Sequence, residues 1–152
     1  MNTNALKKFA QEARRQLLEL VAARLEFVLN TDSAALREHS EKINKLQKAI
    51  KANGKEKIID QVAYTWFNRL MALRFMDAND YQPLGVQVVS PKEGFTLPEI
   101  LDEAKKGHIE DELKVDKSKI YDLLDGKIPT QNPQNEAYRL LLVAVCNHLH
   151  KI

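Results

Sequence analysis

Apolar residues recur at helical spacing along almost the whole of this 152-residue chain, and that rhythm confines it to an all-α fold. Between about Asn4 and Leu29, the residues Leu6, Phe9, Ala13, Leu17, Leu20, Val21, Phe27 and Val28 share one helix face. Leu18, Leu25 and Leu29 form a second stripe beside it, so the arc is wide enough to meet two neighbours. Asn30-Thr31-Asp32 breaks the pattern, and Thr31 or Asp32 offers a cap for the next helix. From about Ser33 to Ala52 the pattern narrows. Leu36, Ile43 and Ile50 stand seven apart with Leu46 between the last two, a seam suited to one partner. His39 sits where that seam wants another apolar residue, and Asn53-Gly54 supplies a stop. From about Glu56 to Ala78, Val62, Trp66, Phe67, Leu70, Met71, Leu73 and Phe75 cover more than half the circumference. This third helix is expected to be the central element of an N-terminal bundle.

The chain changes character between Asn79 and Phe95, where Pro83, Gly85, Pro91 and Gly94 fall. Val86-Gln87-Val88-Val89 carries a short strand signal, and an extended loop is the other reading. Thr96-Leu97-Pro98-Glu99 reads as a capping box opening a helix to about Lys106, which Gly107 ends. Asp116 can cap a short helix that holds Ile120, Tyr121, Leu123 and Leu124 inside, with Gly126 beyond. Asn132-Pro133 opens the last helix, which continues to the final residue. Gly and Pro number five each, too few for a turn-rich β sandwich. The expected architecture is a single all-α helical bundle over residues 1–152, of about six helices with an irregular central linker. Residues 1–78 form a three-helix basic part, 79–95 the linker, and 96–152 a three-helix acidic part.

In the last helix every residue from Leu140 to Cys146 is apolar, which demands burial on all sides. The sequence stops at Lys151-Ile152 with no Gly, Asn or Pro signal. Both features lead to the expectation that the chain is truncated from a larger protein. The single cysteine, Cys146, excludes an intrachain disulfide and fits a reducing compartment. The N-terminus lacks an apolar h-region, and the longest apolar run is far short of the ~20 residues a membrane helix needs. A cytoplasmic protein without a membrane partner is expected.

The net charge of +2 hides an asymmetry. Residues 1–78 hold fourteen Lys and Arg against nine Asp and Glu, a net of +5, and residues 79–152 hold nine against twelve, a net of −3. The first half is therefore the candidate for an anionic partner. Lys45, Lys48, Lys51 and Lys55 cluster opposite the Leu36–Ile43–Ile50 seam and could track phosphates, or simply solvate an exposed helix. Arg24 and Arg74 fall inside the apolar arcs of their helices. A buried guanidinium needs a carboxylate or carbonyl, so each marks an ion pair with a group such as Asp60 or Asp77, a side chain that snorkels to solvent, or a cleft toward DNA or a missing domain.

No catalytic, cofactor or metal residue stands out. Cys146 and His150 share a helix face, but a structural zinc needs four ligands and no second pair lies at suitable spacing. Glu103-Ala104-Lys105 and Glu112-Leu113-Lys114 match half of a metal-nuclease pattern, in helix or turn rather than on a sheet. Asn132-Pro133 lacks the second proline and the aromatic of an amino-methylating motif and reads as a helix start. No Gly-rich turn between strand and helix is present to hold a nucleotide or S-adenosylmethionine.

Several strings carry a resemblance. They are Met1-Asn2-Thr3-Asn4-Ala5-Leu6-Lys7-Lys8-Phe9-Ala10 with Glu12-Ala13-Arg14-Arg15, then Val62-Ala63-Tyr64-Thr65-Trp66-Phe67-Asn68-Arg69-Leu70, and Ala72-Leu73-Arg74-Phe75-Met76-Asp77. Leu97 to Ala104, Asn135 to Leu142 and Cys146-Asn147-His148-Leu149-His150 extend it. Together they resemble the N-terminal region of the PglX family, adenine-specific DNA methyltransferases of bacteriophage exclusion (BREX) systems. The resemblance implies a much larger enzyme that uses S-adenosylmethionine to methylate adenine at N6, in an antiviral defence akin to restriction–modification. Its catalytic Asn-Pro-Pro-Tyr and cofactor motifs would lie beyond residue 152, so no catalytic or cofactor residue carries over. What is implied here is a helical domain, not itself an enzyme, that braces the methyltransferase domain and contacts the DNA backbone. The alternative is an interaction module that docks other BREX proteins without touching DNA.

Overall fold

The computed structural model describes residues 2–150. It contains seven helical segments among them: α1 (Thr3–Asn30), α2 (Ala34–Arg37), α3 (Ser40–Asn53), α4 (Lys55–Ala78), α5 (Glu99–Lys105), α6 (Lys117–Leu124) and α7 (Pro133–His150). The all-α expectation holds, with no strand among the described residues and one isolated antiparallel bridge, Pro91 to Pro98. The expected second helix is divided. Ser33, rather than Thr31 or Asp32, caps the single-turn α2 by accepting from the Leu36 N–H at 3.3 Å. The helix then breaks at Glu38-His39, the place where the apolar seam lapses, and restarts at Ser40. Gly54 closes α3 with φ +88°, a left-handed conformation that side chains with a Cβ resist.

The chain divides into two compact units, one ending at Arg69 and the other beginning at Leu70, inside α4. The second unit holds a continuous core of Leu73, Val88, Ile100, Ile120, Leu123, Leu141 and Val145, among others. In it α7 packs against α6 and α5. The apolar run of α7 is mostly accounted for there. Leu141, Ala144 and Val145 are buried, Leu140, Leu142 and Cys146 are half-buried, and only Val143 of the run is exposed. The run therefore finds much of its burial inside this unit. Lys151 and Ile152 lie outside the described residues.

Two starts match their sequence signals. Asp116 Oδ1 accepts from the Lys119 N–H at 3.0 Å, and Asn132 Oδ1 accepts from the Asn135 N–H at 3.0 Å with Pro133 as the first residue of α7. The capping box at Thr96 does not form. Pro98 is the N-cap of α5 and has no side-chain oxygen, while the Glu99 carboxylate reaches away to the Gln87 N–H at 3.1 Å.

Of the two readings at 86–89 the loop is the one that forms, and Asp77 takes the Val88 and Val89 backbone donors from it. Its carboxylate is 3% exposed near the end of α4. Oδ1 accepts from the Gln82 side-chain amide at 2.7 Å and the Val88 N–H at 2.9 Å. Oδ2 accepts from the Val89 N–H at 2.9 Å and the Ser90 N–H at 3.0 Å. Three successive backbone donors thus converge on one side chain, so they cannot serve a ladder. On the carbonyl side, the Tyr138 hydroxyl donates to the Val88 oxygen at 2.8 Å.

That environment gives Tyr138 a distinct titration. Burial first, then the charges of Asp77 and Cys146, push its phenol from 10 up to about 12. The folded protein thus holds this proton more tightly than the unfolded chain. The stability it contributes is intact below about pH 10 and is lost as pH rises toward the folded value. A tyrosinate absorbance titration should show a late step near pH 12 that Tyr138→Phe removes.

The first unit is built differently. Among the described residues, Leu25 and Ala63 are its buried hydrophobic residues. The second apolar stripe of α1 turns inward, with Leu25 buried and Leu18 and Leu29 half-buried. Much of the first stripe turns outward: Leu6, Phe9, Leu20 and Phe27 are 54, 52, 66 and 46% exposed. Nor is α4 an enclosed central element, since Val62, Tyr64, Met71 and Phe75 along it are exposed.

Candidate nucleic-acid interface

The basic excess belongs to the first unit. Residues 1–69 hold thirteen Lys and Arg against eight Asp and Glu, a net of +5, and residues 70–152 hold ten against thirteen, a net of −3. Within the first unit, α3 separates its two kinds of side chain cleanly. Ile43, Leu46 and Ile50 are half-buried on one face, and Lys45, Lys48 and Lys51 are exposed. Each three-residue step returns about 60° short of a full turn, so these lysines sweep across the back of the helix. Among the described residues, none of the three has an ion pair. A row of solvated, unneutralised ammonium groups is what a phosphate backbone can displace counterions to reach.

Lys55 is set apart from that row. It lies beyond Gly54 at the start of α4, and its ammonium pairs with the Glu26 carboxylate of α1. This hydrogen bond holds Glu26 below the usual carboxylate range. The four lysines thus comprise three unpaired groups on one helix and a fourth engaged elsewhere.

Arg24 and Arg74 fall in different units, and both are exposed. Arg24 lies on the wall of an apolar groove of about 290 Å³, shared with Leu20, Leu25, Leu46, Ile58 and Trp66. Its guanidinium stacks on the Phe27 ring at 4.8 Å. Arg74 donates to the Ser90 hydroxyl at 2.9 Å, beside the loop that Asp77 gathers. Asp77 itself is saturated by backbone and amide donors. The sequence offered it as an ion-pair partner for an arginine, and its partners are instead these donors.

A second pocket of the first unit, about 280 Å³, is lined by Ala10, Gln11, Arg14, Tyr64, Phe67 and Asn68. Sequence reasoning did not single it out, because its members come from helices far apart in the chain.

About half of the described charged residues of the second unit form ion pairs. Glu103 accepts from His108 Nδ1 at 3.2 Å and meets Lys92 and Lys106, and these contacts, His108 first, hold its carboxyl below the ordinary range. Glu112 stands 4.0 Å from His148. Among the described residues no group of three or more His, Cys, Asp and Glu is placed to hold a metal ion. No helix among them is long and apolar enough to cross a membrane.

The molecule is thus a helical module with a cored acidic unit and a basic unit that leaves apolar and cationic faces in solvent. Two curated proteins resemble it along 99% of its length. One is an adenine-specific methyltransferase PglX of Lacticaseibacillus casei (strain Zhang), 29% identical over 181 aligned positions, of which the chain covers 15%. The other is an adenine-specific methyltransferase BrxX of Escherichia coli O9:H4 (strain HS), 29% identical over 174 positions, of which it covers 14%. The likeness to PglX-type methyltransferases therefore extends over essentially the whole chain, which spans about a seventh of the length of these relatives. No protein-family model and no solved structure matches.

Proposed function

We propose that this chain is the helical N-terminal region of an adenine-specific DNA methyltransferase of a BREX phage-defence system. In this reading the longer enzyme uses S-adenosylmethionine to methylate adenine at N6, and catalytic and cofactor residues lie outside the 152 residues. The observation that carries it is likeness along 99% of the chain to two adenine-specific methyltransferases that are several times longer. The region serves the enzyme in two ways. Its outward stripe of Leu6, Phe9, Leu20 and Phe27 braces the methyltransferase domain, and Lys45, Lys48 and Lys51 contact the DNA backbone without reading sequence.

Salt-titrated DNA binding tests the backbone contact. Three phosphate contacts give a slope near −2.7 in log affinity against log salt, a loss of about 40-fold between 50 and 200 mM. Lys45/Lys48/Lys51→Ala is expected to flatten the slope by that amount. Lys55 is left in place because Glu26 holds it.

The same exposed stripe supports a second reading, a module that docks other BREX proteins and has no DNA contact. Identical binding by wild type and triple variant at low salt would favour it. Bracing has its own check. Leu6/Leu20/Phe27→Ser should leave the folding of the isolated chain nearly unchanged, since all three residues are exposed, and should lower the thermal stability of the whole enzyme.

A further inference from the structure

We propose that the pocket formed by Gln11 and Arg14 of α1 with Tyr64, Phe67 and Asn68 of α4 receives one unstacked nucleotide of DNA. The proposal rests on the reading that the first unit faces DNA and adds a site and a ligand class to it. At about 280 Å³ the space suits a single ring system and is too small for a duplex.

Its chemistry is that of a nucleotide. The Phe67 and Tyr64 rings offer π faces on which any base can stack. The Gln11 and Asn68 amides each carry a donor and an acceptor for a base edge. The Arg14 guanidinium suits a phosphate. An acidic peptide would call for several cations, and among the described residues Arg14 alone supplies one to the lining.

A second observation separates these groups from their neighbours. Several other polar side chains of α1 find partners within the chain. Arg15 pairs with Glu12 and Glu19 at 2.5 Å, Gln16 donates to Glu12 at 3.0 Å, and Asn30 donates to Glu26 at 2.9 Å. Among the described residues, Gln11, Arg14, Tyr64 and Asn68 have no side-chain hydrogen bond or ion pair. Two adjacent arginines thus behave oppositely: Arg15 is neutralised on the surface, and Arg14 lines the pocket with its charge open.

Fluorescence anisotropy on the complete chain tests this with four probes: a labelled single-stranded oligonucleotide, a matched duplex, dAMP and a polyglutamate peptide. Tyr64→Ala, at a position 68% exposed where truncation leaves the fold intact, should weaken single-strand binding by about 5- to 150-fold. Duplex binding should change little, and Tyr64→Phe should restore the single-strand affinity. Arg14→Ala should weaken the single strand as well. Competition by dAMP that Tyr64→Ala abolishes would support the pocket and identify a mononucleotide as sufficient. Unchanged single-strand affinity in Tyr64→Ala, with duplex binding intact, would overturn the pocket alone. Loss of all DNA binding by the wild type would overturn the DNA-facing reading with it. Tighter binding of polyglutamate than of the oligonucleotide, equally sensitive to Arg14→Ala, would make the site a peptide site and overturn the proposal.

Discussion

Asp77→Ala is expected to destabilise the second unit by on the order of 4 kcal/mol, because it strands several donors at once, each worth about 1–3 kcal/mol when buried. The Val88, Val89 and Ser90 N–H groups and the Gln82 amide all lose their acceptor. Val88 and Ser90 are buried, so water cannot readily replace the carboxylate. Asp77→Asn keeps the shape and one oxygen. Its amide nitrogen would face two of the donors, so it should recover only part of the loss. Denaturant unfolding gives the magnitude, and amide exchange at Val88, Val89 and Ser90 gives the location. A change within about 1 kcal/mol for Asp77→Ala would mean that the loop is held by other contacts.

Leu141→Ala carries the second large effect. Leu141 is fully enclosed on α7, in the core that also holds Ile120 and Val145. Removing its side chain leaves a cavity that the α5–α6–α7 packing can only partly close, at a cost of about 3 kcal/mol. Leu20→Ala makes the contrast. The residue type is the same, but at 66% exposure on α1 the expected change in the isolated chain is within about 0.5 kcal/mol. The two variants measured together separate a cored unit from one whose apolar surface is open. Equal losses would contradict that division.

These two leucines also mark what the sequence could and could not convey. Helical spacing located α1, α4, α6 and α7 closely, because each is long enough, or capped clearly enough, for its period to stand out. The caps at Asp116 and Asn132 were legible because a short acceptor stood three residues before a free N–H. Periodicity cannot say which residues of two adjacent stripes turn inward, and on α1 half of the longer stripe is exposed. It also cannot foresee a tertiary acceptor. Val86-Gln87-Val88-Val89 has strand composition, but Asp77, Glu99 and Tyr138, each distant in the chain, take its backbone groups. Thr96 and Glu99 have the spacing of a capping box, but Glu99 is drawn to Gln87 instead.

The candidate interface was partly legible for the same reasons. The lysines of α3 follow from spacing within one helix. The pairing of Lys55 with Glu26 spans 29 residues, and the Arg14–Tyr64 pocket spans fifty, beyond the reach of local pattern.

Steady-state adenine methylation by the whole enzyme, measured across salt concentrations, tests the functional account most directly. With three backbone contacts in α3, Lys45/Lys48/Lys51→Ala should raise KM for DNA at low salt and leave kcat unchanged. It should also flatten the salt dependence of KM by a slope of about 2.7. A KM and salt slope matching the wild type, with normal folding of the variant, would contradict it.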